Sequence, residues 1–371
     1  MRLFLLTFLT VLAGKGFAQD YYMLVGTYDS PLSEGIYIFR FNSQTGVATA
    51  LNHVKASNPS FLTVSPDEEF VYAVFENARQ GGTGGEVAAY KFDNQTGSLK
   101  LKGKQDSGGD HPCHVELDNT GRWIFVSNYS SGSLSVLPVQ PDGRPGLATT
   151  IQHTGSGPDP QRQKAPHVHG AFVTSDNREL LVTDLGTDRV MRYDFDPVTG
   201  SLKPSGQPYV AAIPGSGPRS LALHSNSRWI YAIEELSGTI SFYDYNNGRL
   251  EQAQRVSLRV EGDTRIPGSA DIHISPDGKF LYGSSRGEIN NIVIYRIGAT
   301  GQLERRGEQS VLGNAPRHFS IDPTGRFLLS ANQNSNEIVV FRRDPETGLL
   351  SDSHFRVSVG KPVCIKWIRI K

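Results

Sequence analysis

The stretch FDPVTGSL, residues 195–202, reads as a hairpin turn closed by Gly200. Glycine after Thr, Asp or Asn supplies the positive φ that a tight turn between antiparallel strands needs. The pattern recurs as FNSQTGVA (41–48), FDNQTGSL (92–99), IGATGQL (297–303) and RDPETGLL (343–350), with looser copies QPDGRPGL (140–147) and DYNNGRL (244–250). The turn glycines are Gly46, Gly97, Gly143, Gly200, Gly248, Gly301 and Gly348. Their near-regular spacing, roughly fifty residues, marks a repeat architecture.

A second motif interleaves with the first. It is an alternating strand, a polar turn, then another strand. Its copies are FLTVSPDEEFVYAVFE (61–76), HVELDNTGRWIFVSNY (114–129), AFVTSDNRELLVTDL (171–185), LALHSNSRWIYAIEEL (221–236), IHISPDGKFLYGSSRG (272–287) and HFSIDPTGRFLLSANQ (318–333). Two hairpins per unit predict four-stranded antiparallel blades, and seven turns predict an all-β, seven-bladed β-propeller. An eight-bladed ring or a double sandwich fits the count of seven less well. PVCIKWIRI (362–370) reads as a lone first strand whose partners come from YYMLVGTYDSPLSEGIYIFRF (21–41). Strands from both chain ends would then close the ring and remove its open edges.

Bulk properties agree with this reading and exclude others. The 371 residues carry 37 Lys+Arg and 37 Asp+Glu. That balance gives no argument for nucleic acid or an anionic membrane surface as partner. Glycine (39) and proline (21) are plentiful, as short strands joined by turns require. The N-terminus has the form of an export signal: Arg2, an apolar run from Leu3 to Ala13, and Gly16-Phe17-Ala18 before Gln19. Residues 1–18 are therefore expected to be a signal peptide, and 19–371 a single propeller domain, exported and periplasmic. The apolar run is short for a membrane span, so no membrane association is expected after cleavage. A monomer is the expected state. Cys113 and Cys364 are expected to stay unpaired, because the strand PSFLTV (59–64) should stand between them.

Within each repeat, let the first residue of the polar turn be zero. Five residues earlier stand Ser60, Cys113, His169, Arg219, Ala270 and Arg317; eleven later stand Glu76, Tyr129, Leu185, Glu235, Arg286 and Gln333. Both positions are equally far from the turn centre, so a regular hairpin would make them cross-strand neighbours. Arg219 and Glu235 should then meet at the open end of their hairpin. Equivalent ends of all blades converge on one axis, gathering His169, Arg219, Glu235, Arg286 and Arg317 at one mouth. Such a mouth suits an anionic ligand. His167 and His169, two apart on a predicted strand, are expected to share a face. No third ligand stands at diagnostic spacing, so neither a metal nor another cofactor is expected. The long connection HTGSGPDPQRQKAPHVHG (153–170) is expected to be a functional lid that delivers Arg162, Gln163 and Lys164 near the two histidines.

These residues resemble the seven-bladed propeller lactonase family, which includes one type of bacterial 6-phosphogluconolactonase and fungal carboxy-cis,cis-muconate lactonising enzymes. The resemblance rests on HPCHVELDNTGRWIFVSNYSSGSLSV (111–136), PQRQKAPHVHGAFVTSDNRELLVTDLGTDRV (160–190), GPRSLALHSNSRWIYAIEEL (217–236), SADIHISPDGKFLYGSSRG (269–287) and APRHFSIDPTGRFLLSANQNSNEIVVF (315–341). It spans essentially the whole mature chain. It implies a site of one His, two Arg and one Glu, which falls on His169, Arg219, Glu235 and Arg286. Two positions depart from the family pattern: Ser220, where many relatives carry histidine, and Glu234, where they often carry asparagine.

The implied function is hydrolysis of an anionic, sugar-derived lactone, 6-phosphogluconolactonase-like, by direct attack of water without metal. Glu235 is the expected base and His169 the expected proton donor to the leaving alkoxide. Arg219 and Arg286 are expected to hold the substrate anion and oxyanion, with Arg317, His167 and Arg162 as further substrate-binding residues. No G-x-S-x-G nucleophile motif is present. The alternatives are a carboxymuconate-type lactonising cycloisomerase and a non-catalytic propeller that binds an anionic sugar acid or a protein.

Overall fold

The computed structural model describes residues 20–78, 84–246 and 248–371. The expected signal, residues 1–18, lies outside them. Seven four-stranded antiparallel sheets are present, each running in sequence order from its innermost strand outward, with one exception. That exception is the closing blade. Its innermost strand, Pro362–Arg369, comes from the C-terminus, and Asp20–Thr27, Gly35–Asn42 and Ala48–Lys55 come from the N-terminus. The sequence-based architecture is thus found, including the closure by both chain ends. The innermost strands touch one another in a complete circle. Among the described residues no helix is long and apolar enough to cross a membrane.

The T-G turns join the third and fourth strands of the blades. All seven glycines have φ between 62° and 87°. Conformation is only half of the reason for glycine. At Gly200 a Cβ would stand 2.3 Å from the Trp123 ring of the preceding blade. Phe70, Trp229, Phe280 and Phe327, which also open the second strand of their blades, meet Gly143, Gly301, Gly348 and Gly46 in the same way. Six of the seven turns, Gly97 against Tyr22 included, therefore seat on a neighbour's aromatic ring. Gly248 meets nothing within 4 Å, because the neighbouring blade has Glu179 at that position, bonded to the buried Arg192 at 2.5 Å.

Apolar residues of facing blades interlock in seven clusters around the ring, one being Phe125, Val168, Leu180, Val182 and Tyr193 with their neighbours. Cys113 and Cys364 are buried free thiols, and the strand Phe61–Val64 touches both strands that carry them.

One feature of the hairpins departs from the regular register. In the fourth blade Pro218 faces Glu234 but Ser220 faces Ile233, so Arg219 is an extra residue. Similar register shifts fall at Cys113, His169, Arg317 and the Ala270–Asp271 pair. A bulge re-aims the side chain at its position and disrupts simple alternation. Arg219 and Glu235 do meet, but not as opposed residues, and the amide of Glu235 donates to Gly217 O at 2.8 Å. The bulged positions bring Cys113, His169, Arg219 and Arg317 to the axial cavities.

Candidate active site

At one end of the axis lies a cavity of about 220 Å³. The bulged positions bring His169, Arg317 and Cys113 to its wall, and the residues just past the second strands bring Tyr28, Glu76, Tyr129, Glu235 and Arg286. Arg162 reaches the same wall from the long connection. Beneath it a narrow cavity of about 30 Å³ shares His169, Arg317 and Cys113, and adds Arg219.

Glu235 is the hub of this arrangement. Its Oε1 lies 2.6 Å from Arg162 Nη2, and its Oε2 lies 2.9 Å from Arg219 Nε and 3.0 Å from Arg286 Nη2. Burial opposes its charge, but Arg286, Arg219 and Arg162 together hold its carboxyl well below the usual carboxylate range. His169 has the opposite preference. Burial, reinforced by Arg219 and Arg317, keeps its pKa well below that of free histidine, so the imidazole is neutral. Glu235 pulls the other way without overcoming burial and Arg219.

The arginines differ in what they are tied to. Arg219 lies a layer below the mouth, ion-paired with Glu235 through an Nε that makes no aligned hydrogen bond and donating from Nη1 to the carbonyl of Ala270. Arg286 donates to Gly268 O at 3.0 Å and Ser269 O at 3.4 Å, and burial lowers its pKa to about 10 despite Glu235. Arg162 is the most exposed of the four, at 43%. Its neighbour Gln163 is fully buried and donates to Leu185 O and Asp188 Oδ1, both at 2.8 Å. Gln163 therefore fastens the connection rather than facing the site, and the exposed Lys164 is not on the cavity wall.

His167 is not on the wall either. It precedes the strand Val168–Val173, whose bulge at His169 breaks the alternation that would have put both rings on one face. Its ring stacks on Tyr129 at 4.5 Å and its Nδ1 lies 3.0 Å from Tyr129 O. It supports Tyr129 and does not share the cavity with His169. Glu234 is also accounted for. It is wholly buried and accepts hydrogen bonds from Thr239, Ser241 at 2.8 Å and Arg255 at 3.0 Å.

Four wall residues stood outside the sequence-based site: Tyr28, Glu76, Cys113 and Tyr129. Three of them occupy the repeat positions already aligned, so position alone marked them. Tyr28 is the equivalent of Glu235 in the closing blade. Its motif is split between the chain ends, which hid the correspondence.

Asp271 and His318 line the narrow cavity below the mouth, and with His273 they bring ligand-type atoms within 4.8 Å of one another. These atoms are already engaged. His273 Nε2 is 2.9 Å from Asp271 Oδ2, and His318 Nδ1 accepts the amide of Ile365 at 3.3 Å. Accepting at Nδ1 places the hydrogen of neutral His318 on Nε2, which faces Asp271 at 3.6 Å. A metal would need that nitrogen's lone pair, so this group fits a satisfied carboxylate better than a metal centre.

Buried neutral histidines set the acid response. Burial lowers the pKa of His114 and His318 to about 3, and that of His169 also lies well below 6.5. The unfolded chain then binds protons below 6.5 that the folded chain refuses, so this stability is present above pH 6.5 and lost on acidification. Glu116, raised to about 7 by burial, works in the opposite sense between about 4.5 and 7. The three histidines outnumber it. Unfolding free energy should fall by roughly 2–3 kcal/mol per pH unit between about pH 6 and 5, from two net protons at about 1.4 kcal/mol each. Denaturant titrations across this interval measure the slope. A flat profile would show that these imidazoles are protonated in the folded chain.

Comparison with known proteins places this geometry in context. Residues 22–367 match the family model described as Lactonase, 7-bladed beta-propeller. A 6-phosphogluconolactonase of Formosa agariphila is 40% identical over 334 residues, covering 88% of this chain and 94% of the relative. One of Bacillus subtilis is 34% identical over 349 residues, covering 93% and 97%. The solved structure of a periplasmic gluconolactonase from Pseudomonas aeruginosa superposes with a TM-score of 0.91 at 36% identity, covering 95% of this chain and all of that one. The chain therefore belongs to the seven-bladed β-propeller lactonase family.

Proposed function

We propose that this chain is an exported lactonase that hydrolyses an anionic, sugar-derived lactone, with His169 and Glu235 as the catalytic pair. The observation that carries this reading is the pairing of a neutral buried imidazole with a carboxylate held by three arginines in one cavity. Relatives named 6-phosphogluconolactonase and the periplasmic gluconolactonase support the lactone class. Export is supported by the N-terminal segment and by that periplasmic neighbour.

The protonation preferences support roles opposite to those expected from sequence. A carboxylate so strongly stabilised by arginines is a weak base, whereas a neutral imidazole is ready to accept a proton. His169 takes the proton of a water molecule as the water oxygen bonds to the lactone carbonyl carbon. Arg162 and Arg286, anchored by Glu235, stabilise the negative charge that develops on the carbonyl oxygen. The intermediate collapses by breaking the ring C–O bond, and the imidazolium returns its proton to the departing alkoxide. Glu235 stabilises that imidazolium and keeps the guanidinium groups in place.

The test is acid release from 6-phosphogluconolactone and from glucono-δ-lactone by the mature chain, beside lactone formation from carboxy-cis,cis-muconate. Hydrolysis of at least one sugar lactone is expected. Turnover of the muconate alone would establish the cycloisomerase, and turnover of none would establish a binding protein.

A further inference from the structure

Arg317 stands apart from the other arginines of the mouth. Arg162, Arg219 and Arg286 are all within 3.0 Å of Glu235, whereas Arg317 approaches its nearest carboxylate, Glu76, only to 3.8 Å. Among the described residues its guanidinium makes no hydrogen bond of normal length, although only 17% of the side chain is exposed. It lies over the Tyr28 ring, 5.1 Å from the centroid, and it lines both the mouth and the narrow cavity below. Burial opposes its charge, but neighbouring groups, Glu76 among them, more than offset that and raise its pKa, so it stays a cation whose donors have no short partner.

Its surroundings fix it without consuming it. The Tyr28 hydroxyl donates to Glu76 Oε2 at 2.7 Å, which pins the carboxylate beside the guanidinium. Burial pushes the Tyr28 phenol far up, so the hydroxyl remains a donor. The ring face and the carboxylate orient the guanidinium, and 3.8 Å is too long for either oxygen to satisfy it. The mouth sets Arg162, Arg286 and Arg317 against Glu76 and Glu235, with His169 neutral, and the cavity below adds Arg219 and Asp271 together, which leaves the excess at one positive charge. That excess favours an anionic guest.

We propose that Arg317, positioned by Tyr28 and Glu76, is the receptor for a second ionised substituent of the substrate, a phosphate or carboxylate remote from the lactone carbonyl. The proposal rests on the lactonase reading and adds to it a selection for lactones that carry such a group. Arg317 binds the substituent through charge-assisted, bidentate hydrogen bonds, which lysine cannot reproduce. Tyr28 and Glu76 act through Arg317 and are positioning residues.

The experiment compares kcat/KM on 6-phosphogluconolactone and glucono-δ-lactone for the wild type, Arg317→Gln, Arg317→Lys and Glu76→Gln. Arg317→Gln should lose at least ten times more on the phosphorylated lactone than on the neutral one, mainly through KM. Arg317→Lys should recover only part of the loss. Glu76→Gln, by removing a competing charge, should lower KM for the phosphorylated lactone several-fold, which a merely structural residue would not do. Equal losses on both lactones would overturn the proposal and leave the lactonase reading standing.

Calorimetry separates the two failures. 6-Phosphogluconate or glucarate should bind wild type more tightly than gluconate, and Arg317→Gln should abolish the difference. A preference for phosphogluconate alone identifies phosphate as the group, and a preference for both identifies any remote anion. Indifference among the three acids overturns the proposal whether or not any lactone is turned over.

Discussion

Replacing His169 by glutamine should lower turnover of a lactone by about 10²–10⁴, the range for loss of a general base, with little change in KM. Glutamine fills much of the same space and cannot relay a proton, so the fold should survive. The wild-type pH profile offers a sharper check. Burial beside Arg219 and Arg317 holds the imidazole neutral well below pH 6.5. Acidification should therefore leave kcat/KM intact through the interval in which an ordinary histidine titrates, and the acid limb should appear below it. Imidazole added to His169→Gly should restore part of the rate, because the cavity admits a small base where the side chain stood. An acid limb at or above pH 6.5 would remove His169 from the role of base, since the protonated ring could not accept a proton from water.

This assignment shows how far the sequence carries a functional reading. The T-G turns and the S-P-D-G hairpins are local signals, governed by φ preference and strand alternation, and they were sufficient for blade number, strand order and ring closure. The convergence of His169, Glu235, Arg286 and Arg317 was legible for the same reason, since equivalent repeat positions must share one end of the axis. What alternation alone concealed was the bulge. The extra residue at position 219 changes which residues oppose one another, and the one at 169 separates His167 from the site.

Protonation was less legible still, because it depends on the sum of burial and several charges. Spacing placed a glutamate near two arginines, but the third, Arg162, arrives from the connection 153–170, whose path is set by the buried Gln163. In the proposed mechanism, three guanidinium groups on one carboxylate make Glu235 an electrostatic anchor in place of the base expected from sequence. Tyr28 escaped for a topological reason. The closing blade joins residues some 340 positions apart, Gly26 facing Cys364, and its motif never appears as a contiguous segment.

Glu235→Gln tests that anchor, and its effects on turnover and affinity should run in unusual combination. Turnover should fall by about 10²–10³, the cost of losing one preorganised electrostatic contact in a water-poor site. The imidazolium formed on His169 would lose its nearby carboxylate, and Arg162, Arg219 and Arg286 would lose the group that aligns them. KM for an anionic lactone should fall as well, because the amide no longer competes for the guanidinium groups. Breaking a buried ion cluster from one side also leaves charges uncompensated, so the variant should be less stable by about 3 kcal/mol. Substrate or product should recover part of that loss, since an anion bound among the arginines replaces the missing carboxylate. The corresponding readouts are kcat and KM on 6-phosphogluconolactone, and the thermal transition with and without 6-phosphogluconate. Unchanged turnover, or a higher KM with normal kcat, would falsify the anchor and return Glu235 to the role of a structural ion pair.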